Sequence, residues 1–374
     1  MARAPVLQEV EVPPEADRLD DVPHPRATMV LHGHAAAEQT LVEGFASGRL
    51  HHGLLITGAE GIGKATLAYR FARHVLADPT ERDPFGQSLD IGPDTTAARQ
   101  VVALSHPGLL VIRRPWDHKN KRHTASITVD EVRRIKSFLA HTAGGGLNRV
   151  VIVDSADELN LNAANALLKS LEEPPPNTYF LLVAATPGRL LSTIRSRCRV
   201  VALQPLGEAD LKRAAQAALM ASEREPPGAA EWVRLIGLAH GSVRRLLVLW
   251  MRDGLKMQDR IEALVGNLPK VDWGLVHTLG DELGSVAAAD KFETFHELLL
   301  QHLASLIRAG AEAAQGAGPL ATQAHRLGMA PRLATWAELW ETLVREKAEA
   351  IALNLDRKSL ILEAFSRIES AARG

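Results

Sequence analysis

The sequence predicts an α/β domain with a parallel sheet, followed by an all-α region. A short apolar run at residues 54–56 leads into a glycine-rich turn and then into a helical pattern. Strand and helix patterns alternate in this way as far as about residue 205, which is typical of a sheet covered by helices on both faces. The β-branched apolar residues 150–153 indicate a strand that is buried on both sides.

Local patterns place the elements of the first part of the chain. Five prolines within residues 1–26 disfavour helix and predict a flexible tail. Residues 78–98, rich in proline, glycine and aspartate, and the polar, basic residues 114–125 predict loops. The predicted strands are 54–57, 109–113, 149–153, 179–185 and 199–203. The predicted helices are 34–47, 64–77 and 161–173. A further helix is predicted to start at the capping-box pattern of Thr128 and Glu131 and to stop before a glycine break at 144–146.

Beyond residue 205 the patterns are helical, with no strand between them. Residues 208–222, 229–240 and 242–265 are predicted helices, and the chain from 266 onward is helical with a gap at 309–318. The apolar spacing in 295–307 and 333–343 suits bundle helices. The predicted division is a tail at 1–26, an α/β domain at 27–205, a small helical domain at 206–265 and a larger helical domain at 266–374.

Composition excludes several classes of protein. A formal net charge of −1 provides no overall basic field for nucleic acid, so any DNA contact must come from a local patch. The single cysteine, Cys198, excludes an internal disulfide framework and a cysteine-rich zinc site. No apolar run approaches the ~18 residues of a membrane helix, and the acidic N-terminus lacks a signal pattern. These features predict a cytoplasmic protein without membrane contact.

The glycine-rich turn has the spacing of a phosphate-binding loop. Gly58, Gly61, Gly63 and Lys64 lie between a strand and a helix, where backbone N–H groups and a helix N-terminus favour an anion. The motif needs Ser or Thr after the lysine to hold Mg²⁺, but Ala65 stands there. Thr66 comes one position late, a rotation of roughly 100° on a helix. The alternative is a glycine turn kept for packing.

A second candidate, Asp154, follows the third predicted strand, where a phosphate-loop ATPase keeps a carboxylate for Mg²⁺. The next position needs a base to activate water, but Ser155 cannot serve as one at neutral pH. Together with Ala65, this substitution predicts little or no intrinsic ATP hydrolysis. Asp157 is three residues further on and is expected to point away. The alternative role for Asp154 is a structural hydrogen-bond acceptor.

A third candidate is the sequence Ser196-Arg197-Cys198, which precedes the fifth predicted strand. An isolated arginine at a sheet end is most simply a surface ion-pair residue. Arg197, however, lies outside its own chain's phosphate loop, and an arginine in such a context can supply positive charge to a nucleotide on a neighbouring subunit.

The chain resembles the bacterial DNA polymerase III clamp-loader subunits and is most similar to the delta-prime subunits. The resemblance rests on residues 165–198, which read NALLKSLEEPPPNTYFLLVAATPGRLLSTIRSRC, on the phosphate loop and on VVIVDSAD at 150–157. It is strong over 28–205 and weaker over the helical remainder. The segment 241–245 is similar to the second-sensor region of that family.

This resemblance implies an AAA+ module, with a helical lid at 206–265, and a helical collar at 266–374 that assembles an open hetero-pentameric ring. The implied partners are the gamma/tau motor subunits, the delta subunit, the sliding clamp and, through the complex, primer-template DNA. The implied role is a rigid stator with a defective nucleotide site, in which ATP binding is weak or absent. Arg197 would reach a neighbour's ATP, and Thr186 and Arg244 would be structural remnants of the two sensors. The chain would then be a non-catalytic or very weak ATPase within the polymerase holoenzyme.

Two further expectations come from the same resemblance. Many relatives bind zinc through four cysteines between the phosphate loop and the second strand, but residues 78–108 contain none, so no metal is expected. Arg133, Arg134 and Lys136 are candidate DNA contacts that would bind phosphates without reading sequence. The alternative for these three is a solvated helix face.

Two other functions remain open at the level of sequence. One is an active AAA+ ATPase or motor subunit with an atypical metal site, against which Ala65 and Ser155 argue. The other is a regulator that binds nucleotide without hydrolysing it. Equilibrium ATP binding with and without Mg²⁺ would distinguish the regulator from an empty stator.

Overall fold

The computed structural model describes residues 14–16, 18–19, 21–140, 148–312, 318–353 and 355–374. The predicted break at 144–146, residues 1–13 of the predicted tail and residues 313–317 of the predicted gap lie outside this range. Contacts divide the chain into two compact units, Met1–Leu247 and Val248–Gly374. The division falls within the stretch predicted as a small helical domain, and the boundaries at 205 and 265 stay predictions.

The first unit contains the strands and the helices around them. Its strands are β1 (Gly53–Thr57), β2 (Leu109–Ile112), β3 (Trp116–Asp117), β4 (Arg122–His123), β5 (Arg149–Val153), β6 (Thr178–Ala184) and β7 (Arg199–Ala202). Its helices are α1 (Ala35–Ala46), α2 (Lys64–Leu76), α3 (Thr96–Val102), α4 (Val129–Ala140), α5 (Leu161–Glu172), α6 (Ser192–Arg195), α7 (Glu208–Ala221) and α8 (Ala229–Ala239). Helix α9 (Val243–Met251) begins at the end of this unit.

The main sheet is parallel, in the order β2-β5-β6-β1-β7, which confirms the predicted parallel α/β fold. Strand β1 lies between β6 and β7, with Leu55 opposite Leu182 of β6 and Val200 of β7. The carboxyl ends of β1, β6 and β5 are therefore neighbours, and the loops that follow them meet at one edge of the sheet.

Helices cover both faces of the sheet. Along β5 the side chains of Val150 and Ile152 pack into one core cluster, on the side of α1 and α2. Val151 and Val153 pack into the other, with α4 and α5. All four are 0% exposed, so the run of apolar residues reflects the period-two alternation of a strand with no solvent face.

The described part of the predicted tail packs against this unit, which differs from the expected flexibility. Leu19 and Val22 are buried. The Glu15 carboxylate accepts hydrogen bonds from Arg26 (2.5 Å) and Arg113 (2.8 Å). Burial alone would raise the pKa of Glu15, but these bonds outweigh it and lower the pKa. Prolines disfavour an α-helix here, and Pro25 opens only a short 3-10 turn, yet such an irregular segment can still bury apolar side chains and an ion pair.

Three elements depart from the sequence prediction. Helix α3 begins at the end of the loop expected at 78–98 and continues beyond it, and its cap is the Thr95 hydroxyl, which accepts from the Ala98 N–H at 3.2 Å. Its alanine-rich face gives little apolar periodicity. The basic loop contains the small antiparallel ribbon of β3 and β4. The predicted helix at 242–265 is two helices, because Asp253 adopts a left-handed conformation (φ +55°).

The second unit is helical throughout its described residues, as the sequence predicts. After α9 it contains α10 (Gly254–Gly266), α11 (Trp273–Leu283), α12 (Ala289–Ala311), α13 (Pro319–Arg326), α14 (Leu333–Leu353) and α15 (Arg357–Arg373). Helix α12 packs against α10, α13 and α14, and α11 packs against α15. Its core includes Phe295 and Phe365, with ring centroids 6.4 Å apart. Within the described ranges of the chain, no helix has the length and apolarity needed to cross a bilayer.

Candidate functional site

The predicted phosphate loop connects β1 to α2. Gly58, Gly61 and Gly63 have φ angles of +143°, +74° and +107°, a conformation that residues with a Cβ rarely adopt. A Cβ at Gly61 would lie 2.4 Å from Arg244 Cβ and 2.5 Å from Ser242 Oγ. The glycines are therefore required both by the backbone turn and by the close approach of the segment that starts α9.

Other parts of the first unit hold the carbonyl groups of this loop. The Ser242 hydroxyl donates to the Glu60 carbonyl at 2.8 Å, and the Val243 N–H donates to the Gly61 carbonyl at 2.9 Å. His34 Nε2 is hydrogen-bonded to the Ile62 carbonyl at 2.7 Å. The loop carbonyls are thus hydrogen-bonded to other parts of the unit, and the glycines between them are left-handed. In this arrangement the backbone N–H groups of such a loop turn toward an anion.

Lys64 is buried at the start of α2, and its ammonium group donates to the Ala59 carbonyl at 2.6 Å. Burial lowers the pKa of this ammonium, and the negative charges of Glu60, Asp157 and Asp154 oppose the shift. The structure thus gathers the predicted lysine, which starts α2, and Asp154, which follows β5, at the same sheet edge.

The residues after β5 do not all follow the sequence prediction. Asp154 is buried, and Ser155 adopts a left-handed conformation (φ +59°). The Asp157 carboxylate accepts from the Thr186 N–H at 2.7 Å and from the Ala185 N–H at 3.2 Å. Asp157, which the sequence suggested would point away, thus fixes the loop after β6 and lines the same cavity as Asp154.

A cavity of about 760 Å³ adjoins the loop. Its polar side includes residues 60–66, Asp154 and Ser155, and its apolar side includes Val22, residues 27–31 and the alanine-rich face of α7. The polar side fits a phosphate group, because it combines the loop, a helix start and Lys64. It does not fit the usual Mg²⁺ arrangement, since the side chain of Ala65 has no oxygen. Thr66 also lines the cavity, but it occupies a different position on α2.

The two predicted sensor residues have structural contacts. The loop that holds Thr186 is fixed by Asp157 through the backbone, as described above. The Arg244 guanidinium lies 3.2 Å from the Glu60 carboxylate, and the Arg244 side chain is about one-third exposed. Ser242, which locks the loop, was not singled out as a functional residue from the sequence. The only sequence feature that pointed to Ser242 was its position two residues before Arg244 in the 241–245 segment.

Arg197 lies far from this edge of the sheet. It precedes β7, and its carbonyl oxygen would lie 3.0 Å from a Cβ at Gly53, the first residue of β1. Because β1 and β7 are parallel, Arg197 is at the amino end of the strand whose carboxyl end carries the phosphate loop. Its guanidinium is 36% exposed, pairs with Glu172 at 2.8 Å and donates to the Thr193 carbonyl at 3.0 Å.

The neighbours of Arg197 in the motif have different environments. The Ser196 hydroxyl donates to the Thr193 carbonyl at 3.1 Å and closes the short helix α6. Cys198 is half-buried and packs against the core, and burial raises the pKa of its thiol to about 11. A thiol with this pKa stays protonated and is a packing group rather than a nucleophile.

The three candidate DNA contacts lie on α4. Arg133 pairs with Asp130 at 2.7 Å and Arg134 with Glu131 at 2.5 Å, both across one helical turn, while Lys136 is exposed. The two ion pairs reduce the positive charge that this face offers, and the role of these residues in DNA binding stays a prediction.

Comparison with known proteins identifies relatives of this chain. The profile of the family described as "DNA polymerase III, delta subunit" matches residues 33–207. DNA polymerase III subunit delta' of Yersinia pestis is 32% identical over 316 residues, which cover 80% of this chain and 81% of that protein. The corresponding subunit of Escherichia coli is 33% identical over 63% of this chain and 65% of its own length.

Other matches are more local or more distant. The Pseudomonas aeruginosa subunit delta' is 38% identical over 39% of this chain, and the match spans 41% of that protein. The chain thus matches less than two thirds of the length of the Pseudomonas and Escherichia relatives. The extent and identity of the Yersinia match nevertheless decide the family: the chain belongs to the DNA polymerase III delta' subunits.

Proposed function

We propose that the chain is a delta-prime subunit of the clamp-loader complex of the DNA polymerase III holoenzyme, where it supports ATP-dependent loading of the sliding clamp onto primed DNA. Its ring partners would be the gamma/tau motor subunits and a delta subunit. In this assembly Arg197 acts on the ATP of a neighbouring motor subunit. The observation that carries this role is the place of Arg197, about one-third exposed at the sheet end opposite to its own phosphate loop.

The position of Arg197 favours an action between subunits. Strand β1 separates the arginine from the loop of its own chain, so the guanidinium does not face its own candidate nucleotide site. Glu172 and the Thr193 carbonyl hold the guanidinium at the surface, which limits the conformational entropy lost when it meets a phosphate. An arginine suits this task because its planar fork stays charged and binds phosphate oxygens through two hydrogen bonds.

The chain's own nucleotide site is proposed to bind ATP weakly or not at all, and not to hydrolyse it. The loop and Lys64 fit a phosphate, but position 65 offers no oxygen to a metal and Ser155 is no base. Direct bonds from Ser242 and Val243 to the loop make this region rigid, as a stator requires. ATP hydrolysis by the isolated chain that disappears in Lys64→Ala would contradict this part of the proposal.

A second candidate, a subunit that holds a nucleotide without hydrolysing it, is favoured by the anchored loop and the apolar side of the cavity. Titration of the isolated chain with ATP, with and without Mg²⁺, distinguishes the two. Saturable binding that Lys64→Ala abolishes supports the nucleotide-holding subunit, and its absence supports the empty stator.

Reconstitution of the complex with Arg197→Ala tests the main proposal. Arginine fingers contribute about 10³-fold or more to turnover, so hydrolysis at the neighbour's site should fall by about that factor, while the ring still assembles. Turnover stimulated by DNA and clamp is the measurement, and gel filtration reports assembly. Arg197→Lys should recover little, because a lysine cannot form the two-pronged contact.

Arg195→Ala is the matched control, since Arg195 is exposed and only two residues away. It should leave turnover unchanged. An assembled Arg197→Ala complex with the normal rate would remove the arginine's role and leave the subunit assignment standing. Failure of the unaltered chain to join the motor subunits would instead overturn the assignment itself.

A further inference from the structure

The loop expected at 114–125 contains a hairpin that the proposed function does not use. Strands β3 and β4 pair Trp116 with His123 and Asp117 with Arg122. The Asp117 carboxylate fixes the turn by accepting from the N–H groups of Lys119 (2.9 Å) and Asn120 (3.1 Å). We call residues 116–123 the basic hairpin. Its turn is defined by hydrogen bonds, so its charged side chains extend from an ordered scaffold.

Positive charge is concentrated around this hairpin. Residues 113–136 contain eight lysines and arginines and three carboxylates, a net charge of +5 in a chain whose formal net charge is −1. Lys119, Lys121 and Arg122 are exposed. Within the described part of the chain, none of these three lies within ion-pair distance of a carboxylate. Arg122 lies opposite Asp117 and interacts with its charge, while the charges of Lys119 and Lys121 are available to an external anion.

The base of the hairpin carries two aromatic rings beside a cavity. The rings of Trp116 and His123 make an edge-to-face contact with centroids 4.9 Å apart. Both line a cavity of about 900 Å³, which is also lined by arginines, among them Arg18 and Arg114, and by three carboxylates. Two of these carboxylates are paired with arginines that line the same cavity: Glu15 with Arg26 and Arg113, and Glu131 with Arg134. Among the described residues, neither ring nitrogen of His123 has a hydrogen-bond partner, although both are buried. The cavity thus provides a stacking surface and polar atoms without partners, next to the exposed positive charges of the hairpin.

We propose that the basic hairpin and its cavity bind single-stranded nucleic acid. Phosphates would contact Lys119, Lys121 and Arg122, and an unpaired base would stack in the cavity at Trp116. Lysines and arginines beside an aromatic platform are the usual means of holding single strands without reading sequence. An acidic protein segment would use the charges but gain nothing from the ring. The site is independent of Arg197 and of the nucleotide loop.

Fluorescence anisotropy of a labelled oligothymidylate, titrated with the isolated full chain at several salt concentrations, tests the site. In Lys121→Ala/Arg122→Ala the affinity should fall on the order of tenfold at moderate salt. The slope of log K against log salt should decrease by about 1.4, because two phosphate contacts are lost. The control Arg49→Ala/Lys169→Ala removes the same charge from exposed positions elsewhere and should change neither quantity.

Trp116→Ala separates nucleic acid from other polyanions. Loss of stacking should weaken oligothymidylate binding about tenfold with little change in salt slope, and Trp116→Phe should retain most of the affinity. Thermal unfolding checks that each variant remains folded. The proposal is overturned if the unaltered chain does not bind, or if the hairpin and control variants lose affinity equally. It also fails if polyglutamate competes as well as the oligonucleotide while folded Trp116→Ala binds normally.

Discussion

The phosphate loop and the Arg197 segment are built in opposite ways. The carbonyls of the loop are bound by Ser242, Val243 and His34, and its glycines are packed too closely to accept a Cβ. Arg197 is at the surface and is held by one carboxylate and one carbonyl. The region that resembles an enzyme site thus has the constraints of a core. The region without such a motif has the exposure that an interaction between subunits requires.

The largest effect on stability should come from Gly61→Ala. The new Cβ would meet Arg244 and Ser242 and would force a residue with a side chain into φ +74°. Backbone strain and overpacking should together reduce the free energy of unfolding by about 4 kcal/mol. Urea denaturation of Gly61→Ala and of the original chain measures this difference in the free energy of unfolding.

Gly188→Ala provides the control for this change, because Gly188 is exposed and its Cβ would contact nothing within 4 Å. Its free energy of unfolding should stay within about 0.5 kcal/mol of the original. Equal stability of the two variants would mean that the loop is not constrained as described.

The helix that follows the loop should make the first unit sensitive to acid. His74 is buried on α2, and burial, aided by the nearby Arg82 charge, lowers its pKa to about 4. In the unfolded chain the imidazole of His74 binds a proton near pH 6.5. The contribution of the buried neutral imidazole to the free energy of unfolding is therefore complete above that pH and is lost as the pH falls toward 4. The loss should approach about 3 kcal/mol for a group that is 3% exposed.

Urea denaturation between pH 7 and pH 4.5 measures this dependence, with His74→Leu as the comparison variant. Removal of the titrating group should flatten part of the pH profile, although the buried His296, whose pKa is also lowered to about 4, continues to contribute in the second unit. If the free energy of unfolding has the same slope against pH in the original chain and in His74→Leu, the acid sensitivity does not come from His74.

The smallest effect should come from Arg197→Ala on stability. Its ion pair with Glu172 is exposed on both sides, and such pairs contribute less than about 1 kcal/mol. Urea denaturation of the isolated variant should therefore match the original chain closely, in contrast to the loss of turnover expected in the complex. A loss of several kcal/mol would identify Arg197 as a structural residue and weaken its proposed role between subunits.

Much of the fold could be predicted because local sequence patterns specify its helices and strands. The apolar residues of β1 and β5 and the helical pattern at 161–173 placed their elements within a residue or two. Helix α3 and the β3–β4 ribbon were missed. Short elements have weak periodicity, and their stability comes from caps, turns and neighbouring packing rather than from pattern.

The candidate site was predictable in its residue types but not in its contacts. Lys64, Asp154 and the glycines were identified from spacing, and the structure brings them to one edge of the sheet. The engagement of Asp157 with the loop after β6 was not foreseen, since it joins residues that are distant in sequence and depends on strand order. The same is true of Glu172 beside Arg197.

The parallel α/β unit, the helical second unit, and the absence of a side-chain oxygen at position 65 and of a base at position 155 follow from residue type and short-range spacing. The hydrogen bonds of Ser242 and Val243 to the phosphate loop, and the position of Arg197 at the other end of β1, are visible only in the folded chain. These relations arise from the order and direction of strands that are far apart in the chain, which local sequence patterns do not encode.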